Sequence, residues 1–237
     1  MPGTEQVTTI SVFKFKQYKY WAFKQMRLAL TPLSEVKGLL FYKVLGCGAG
    51  NGFSILPDFG TYAMLLIWEN EAYADQFYDG NPLYLEYLSR SADHQNLYMK
   101  AVAGHGNWDG SNPFDFAAEM PGKKMAVLTR ATIRGSRLLN FWRYVPRVSR
   151  SMEGAPGLQY AIGIGELPLI QQATFSVWES KEAMTNYAYT MARHKEVVKQ
   201  TRTQKWYREE LFTRFQPYRS EGSIPELEIK KIPSQDV

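Results

Sequence analysis

The sequence predicts an α+β fold: two ferredoxin-like βαββα units, related by duplication, whose sheets close into a dimeric-type α+β barrel within one chain. Three observations carry this. The motif G-L-x-[FY]-x-x-x-x-G occurs as GLLFYKVLG at 38–46 and again as GLQYAIGIG at 157–165. Each copy follows a helix-like segment and leads to a strand with a similar end, Ile67-Trp68-Glu69-Asn70 and Val177-Trp178-Glu179-Ser180, where an apolar run gives way to an acidic helix start. The order of elements is the same in both halves. An antiparallel sheet with helices on one side leaves its other face apolar, and two such faces bury each other.

In chain order, Thr8 to Phe15 is strand-like, Tyr20 to Leu30 helix-like, and Gly38 to Leu45 and Thr61 to Trp68 are strand-like. A helix follows from Glu71 to Tyr78, and after the breaker Gly80-Asn81-Pro82 a second is expected from about Leu83 to Val102. In the second half Met125 to Ile133 reads as strand, Ser136 to Met152 as helix, and Gly157 to Ile164 and Gln171 to Trp178 as strands. A long helix-like segment then spans Glu182 to Phe212. The repeats differ in one loop, GCGAGNGFSILPDFG against GELPLI. The halves are expected at 1–110 and 111–220, joined through the Gly-, Asn- and Pro-rich stretch 104–122, with an irregular tail at 221–237.

A chain of 237 residues with 45% hydrophobic and 22% charged residues builds a packed core and is not a disordered tail protein. Its single cysteine, Cys47, excludes an internal disulfide. One thiol with histidines scattered at 94, 105 and 194 excludes a zinc finger. A reducing, cytoplasmic setting is expected. The apolar run Ala63 to Trp68 is far shorter than the roughly 20 residues of a membrane helix, so contact with the inner face of the cytoplasmic membrane would be peripheral. The net charge of +5 favours acidic partners or anionic lipid. No RNP-like pattern, helix-turn-helix signal or arginine-rich tract supports nucleic-acid binding. The run Gly46 to Gly52 leads to a strand rather than opening a helix, which excludes a dinucleotide loop. No cation lies between Gly46 and Phe59 to activate Cys47.

His194 is the most informative polar residue. With Tyr187, Met191, Val198 and Thr201 it falls on one stripe of a helix, at spacings of 4, 3, 4 and 3. Two readings follow: a buried, hydrogen-bonded core histidine, or an axial haem ligand with Tyr187, Met191 and Val198 as apolar walls. The first half has Tyr84 at the corresponding distance after its tryptophan, so only the second half can offer histidine here. His94 and His105 sit in polar and turn-rich stretches, where solvated roles are the default, with a distal role as the alternative. Arg143, Arg147 and Arg150 form a cationic helix face. Arg130 shares a strand face with Ala126 and Leu128, so it is expected to point inward, where a carboxylate side chain or a haem propionate would satisfy it; Arg134 follows on the same strand.

Four blocks carry a resemblance: VFKFKQYKYWAFKQM, GLLFYKVLGCGAGNGFSILPDFGTYAMLLIW, AVLTRATIRGSRLLNFWRYVPRVS and YAYTMARHKEVVKQTRTQKWYREELFTRFQP. Together they resemble the spheroidene monooxygenase family, the acyclic-carotenoid 2-ketolases of purple phototrophic bacteria, over most of residues 8–217. The resemblance implies a haem b monooxygenase that makes a keto group at C-2 of spheroidene-like carotenoids by successive hydroxylation, using O2 and electrons from a ferredoxin-type donor. It makes His194 the iron ligand. Histidine gives less electron push for O–O cleavage than a thiolate would, so a distal catalytic donor such as Arg130 or a tyrosine is expected, and Arg130 and Arg134 are the arginines able to meet propionates. The alternatives are a haem barrel enzyme of another type, such as a dehydratase or peroxidase, and a non-enzymatic barrel for haem or a lipophilic ligand.

Overall fold

The two copies of the glycine motif explain themselves in the structure, a computed structural model that describes residues 5–49, 56–143, 152, 154–167, 169–192, 206–224 and 227. Gly38 and Gly157 adopt φ of 75° and 77°, a region costly for any residue with a Cβ. Their carbonyls accept the N–H of Glu69 (2.9 Å) and Glu179 (2.8 Å), tying each motif to the end of the next strand. A Cβ on Gly38 would lie 2.2 Å from the Tyr73 ring, and one on Gly157 2.5 Å from the Ala183 Cβ. The residue after the repeated Trp-Glu then caps a helix: Asn70 Oδ1 accepts from the Tyr73 N–H and Ser180 Oγ from the Ala183 N–H.

The first half runs β1 (Val7–Lys14), α1 (Lys19–Leu28), α2 (Leu30–Ser34), β2 (Leu39–Gly48), β3 (Pro57–Trp68), α3 (Glu71–Gly80), α4 (Pro82–Arg90) and β4 (Asp93–Gly106). The second runs β5 (Met125–Ile133), a helical segment over 135–143, β6 (Leu158–Leu167), β7 (Gln171–Trp178), α5 (Lys181–Ala192) and β8 (Tyr207–Gly222). All pairings are antiparallel, and the strands close in the order β1-β3-β2-β6-β7-β5-β8-β4. The duplicated α+β barrel is therefore the fold. Its two seams differ. β4 and β8 pair from Gln95↔Gly222 to Gly106↔Leu211, whereas β2 and β6 meet only at Gly46↔Gly165 and Cys47↔Ile164.

Inward side chains such as Ile10, Leu65, Leu97, Leu128, Phe175 and Phe215 fill the barrel, and helices cover the outer faces. The fourth strand of each half departs from the predicted helices. α4 ends at Arg90, and Asp93–Gly106 is strand, because Leu97, Met99 and Ala101 alternate inward while Tyr98 packs outward. Tyr207–Gly222 is likewise strand, with Leu211 and Phe215 inside.

The linker and tail are less loose than their composition suggests. Trp108 and Phe114 of the linker are buried in the barrel core, and Gln216 exchanges two hydrogen bonds with the Met120 backbone. Past β8, Ile224 and Leu227 are also buried in that core. No helix among the described residues is long and apolar enough to cross a membrane.

Candidate functional site

Strand register makes the two outer sheet faces comparable position by position, because Val7↔Trp68 in the first half corresponds to Met125↔Trp178 in the second. Where the first half places Phe13, Tyr42, Val44, Tyr62, Met64 and Leu66, the second places Ala131, Ala161, Gly163, Gln172, Thr174 and Ser176. Every one of the six is smaller or more polar. In the first half this surface is a dense core, with Phe13 against Tyr87 at 5.0 Å and Trp21 against Tyr87 at 4.9 Å between ring centroids. In the second these positions form a cradle of small side chains, of which Ala131, Gly163 and Ser176 are buried and Ala161 packs with Met152, Met184 and Tyr187. Its edge is formed by Trp178, on which the Tyr187 ring of α5 lies at 4.9 Å, and by Phe212, on which His105 stacks at 5.6 Å.

A cleft of about 290 Å³ opens where β2 meets β6. The short seam leaves it room, and Gly46, Gly48 and Gly165 keep its floor low. Phe23, Met26, Phe59, Trp142, Ile164 and Leu169 make it apolar. Gly165 and Gln172 belong to this cleft and also continue β6 and β7 into the cradle of small residues, so the two are contiguous. The Cys47 thiol is in the cleft wall, 7% exposed, and burial pushes its pKa up, so it is a neutral wall group rather than a thiolate. Burial likewise pushes the Tyr62 hydroxyl up to about 12.

Inside the barrel next to this cleft is a charged network. Arg130 is 1% exposed and bonds Glu209 and, at 3.3 Å, Glu166. Lys43 bonds Asp109 and, at 2.7 Å, Glu166. Trp108 donates from Nε1 to Glu166 (2.8 Å), and the Arg130 guanidinium sits 5.3 Å from its ring centroid. Glu209 Oε1 also accepts the Gly110 N–H (2.7 Å), which the left-handed pair Asp109 (φ 57°) and Gly110 (φ 90°) turns toward it. Burial alone would raise the Glu209 carboxyl, but Gly110, Arg130 and Asp109 together hold it below the usual carboxylate range. Burial would lower Lys43, yet bonds to Asp109 and Glu166 leave it raised.

Of the predicted site residues, Arg130 does point inward, but carboxylates meet it, and it lies on the opposite face of β5 from Ala131 and the cradle. It belongs to this network and not to a distal site on the outer face. Arg134 is exposed just beyond β5, its Nε donating to the Tyr207 carbonyl at 3.1 Å. Tyr187 faces the outer surface of the sheet through Trp178. Met191 lies in α5. His194 and Val198 lie outside the described residues, as do Arg147, Arg150 and 50–52 of the glycine loop. Tyr84 is core, bonded by Asn96 Nδ2 at 2.7 Å, and His94 is in β4 with its pKa lowered by burial. Lys43, Trp108, Asp109, Glu166 and Glu209 were not foreseen. The available signals were the inward registers of Lys43, between Phe41 and Leu45, and of Glu166, two residues beyond Ile164 on the face of Ile162.

The chain is 32% identical to a spheroidene monooxygenase of Rhodobacter capsulatus over 222 residues, 92% of each chain. It is 29% identical to one from Cereibacter sphaeroides, covering 89% of this chain and 66% of that one. It is 32% identical to one from Rubrivivax gelatinosus, covering 86% and 78%. No family model matches. Among solved structures, an aldoxime dehydratase in complex with butyraldoxime aligns with a TM-score of 0.63 at 8% identity, over 95% of this chain and 85% of that one. A second aldoxime dehydratase structure aligns at 0.60 and 11%, over 90% and 82%. At such identities the likeness concerns the fold.

Proposed function

Because the chain belongs to the spheroidene monooxygenase family, we propose that this monooxygenase uses haem b, O2 and a ferredoxin-type electron donor to build a keto group at C-2 of acyclic, spheroidene-like carotenoids. The observation that carries the haem reading is the cradle: Ala131, Ala161, Gly163 and Thr174 place small side chains, on the sheet face that α5 covers, where Phe13, Tyr42, Val44 and Met64 stand in the other half. A flat macrocycle needs such a face. His194, seven residues beyond Tyr187, would ligate the iron, with Tyr187, Met191 and Val198 as walls and Arg134 as a propionate partner. Haem supplies the centre at which O2 is reduced and split.

The chain's own residues do the rest. The apolar cleft continuous with the cradle takes one end of the polyene, since about 290 Å³ is at the small end of ligand sites. Its walls exclude water and would leave C-2, close to that end of the polyene, facing the cradle. Two hydroxylations at one carbon followed by loss of water give the carbonyl. The ion network, with Arg130 buried at its centre, ties β5, β6 and β8 together behind the cleft.

Expression in a host that accumulates spheroidene-type carotenoids, under isotopically labelled O2, tests this reading. A C-2 ketone carrying label that has not been lost by exchange with water is expected. Unchanged carotenoid in cells that hold folded, haem-loaded protein would contradict it.

A further inference from the structure

We propose that the rim of the β2–β6 cleft docks on an anionic lipid bilayer and is the portal by which an apolar substrate leaves the bilayer. The docking stands on the surface alone; its use as a portal rests on the apolar substrate proposed above. Phe23 on α1, Phe59 at the start of β3, Trp142 in the helical segment over 135–143 and Leu169 at the β6–β7 turn line the cleft, and the same four segments carry the exposed Tyr20, Leu56, Leu139 and Leu167. Tyr20, Leu56 and Leu139 are 74%, 70% and 78% exposed. They are held in place from beneath. Phe23 meets Phe59 edge-on at 5.7 Å, and Trp142 donates from Nε1 to the Leu169 carbonyl at 3.1 Å. Phe23, Phe59, Trp142 and Leu169 line the mouth itself.

Charge selects the partner. Residues 15–34, which contain α1, have no acidic side chain and carry Lys16, Lys19, Lys24 and Arg27. Residues 134–143 likewise have none and carry Arg134, Arg137 and Arg143. Lys24 extends its ammonium group 5.0 Å from the Tyr20 ring centroid, the pairing of aromatic body and cationic tip suited to a headgroup layer. Other exposed apolar side chains, among them Leu28, Leu40, Leu85, Phe116, Met120 and Tyr189, do not line the cleft. Asp58 and Glu166 also line the cleft, but Asp58 accepts from the Gly60 N–H and Thr61 hydroxyl and Glu166 is paired with Lys43 and Arg130. An apolar rim beside two acid-free cationic segments fits anionic lipid better than an acidic protein, which would leave the apolar rim unsatisfied.

Co-sedimentation of the full chain with vesicles provides the test. Binding to phosphatidylcholine mixed with phosphatidylglycerol is expected to exceed binding to phosphatidylcholine alone by about tenfold or more. The combined Tyr20→Ser, Leu56→Ser and Leu139→Ser variant should lose about tenfold, as should Lys24→Glu with Arg143→Glu, while Leu85→Ser with Phe116→Ser stays within about twofold. Equal binding to both vesicles, or equal loss in the control pair, would overturn the docking. So would rim variants that change the oligomeric state by size exclusion and leave vesicle binding intact, which would assign the rim to a second copy of the chain. A protein without haem that still binds through this rim contradicts the haem reading alone; a haem-loaded protein indifferent to anionic lipid contradicts the docking alone.

Discussion

The outer sheet face of the first half is packed with Phe13, Tyr42, Tyr62, Met64 and Leu66, and that of the second carries Ala131, Ala161, Gln172, Thr174 and Ser176 at the same register positions. Both halves keep the same glycine turn, the same Trp-Glu and the same helix cap. Their backbones are thus specified alike while one surface carries large side chains and the other small or polar ones. Burying a large apolar side chain contributes about 1.5–3 kcal/mol, so several such contributions are missing at these positions of the second half. The second half keeps a smaller apolar cluster around Met125, Val127, Met152 and Trp178.

Swapping residues across the halves tests this most severely. Phe13→Ala is expected to cost about 3–5 kcal/mol in denaturant unfolding, since it empties a closed aromatic core. The reciprocal Ala131→Phe, which enlarges a buried side chain, should cost about 1–3 kcal/mol and abolish haem uptake. A cost for Ala131→Phe as large as for Phe13→Ala would show that the second face is equally packed.

The charged network is the next largest expectation. Glu209→Gln leaves Arg130 buried with weaker compensation and should cost roughly 3 kcal/mol. Because the Glu209 carboxyl is held low in the folded state, the stability it contributes is present above the ordinary carboxylate range and is lost as pH falls through its folded value. Melting temperatures across acid pH should therefore fall more steeply for the natural protein than for Glu209→Gln. Lys43 has the opposite sign. Its raised pKa contributes stability below the ordinary lysine value that disappears as pH rises through the folded one, so Lys43→Met should flatten only the alkaline limb.

The smallest effect sharpens the comparison from the symmetric side. Gly38→Ala and Gly157→Ala each force a Cβ into a left-handed turn against a neighbouring helix, and each should cost about 1–3 kcal/mol by thermal unfolding. Similar losses in both halves would confirm that the turn is shared machinery, and a loss confined to one would break the equivalence.

Much of this was legible in the sequence. The duplication, the strand–helix order of each half up to its third strand, and the inward register of Arg130 follow from periodicity and spacing. The fourth strands did not, because Leu83 to Val102 and Glu182 to Phe212 are rich in residues that favour helices, and only closure of the barrel makes strands of Asp93–Gly106 and Tyr207–Gly222. The partners of Arg130 were hidden as well. Glu166 and Glu209 lie 36 and 79 residues away along the chain, and no short motif links them. The cradle of small side chains becomes visible only when register matches Phe13 with Ala131 and Met64 with Thr174.

The central claim is that the second half holds haem through His194. It is tested most directly by absorption spectra of protein from haem-supplemented cells, before and after dithionite and carbon monoxide, for the natural chain and His194→Ala. The account predicts a Soret band in the natural protein that is lost or shifted in the variant. A colourless natural protein that takes up no added hemin would contradict it.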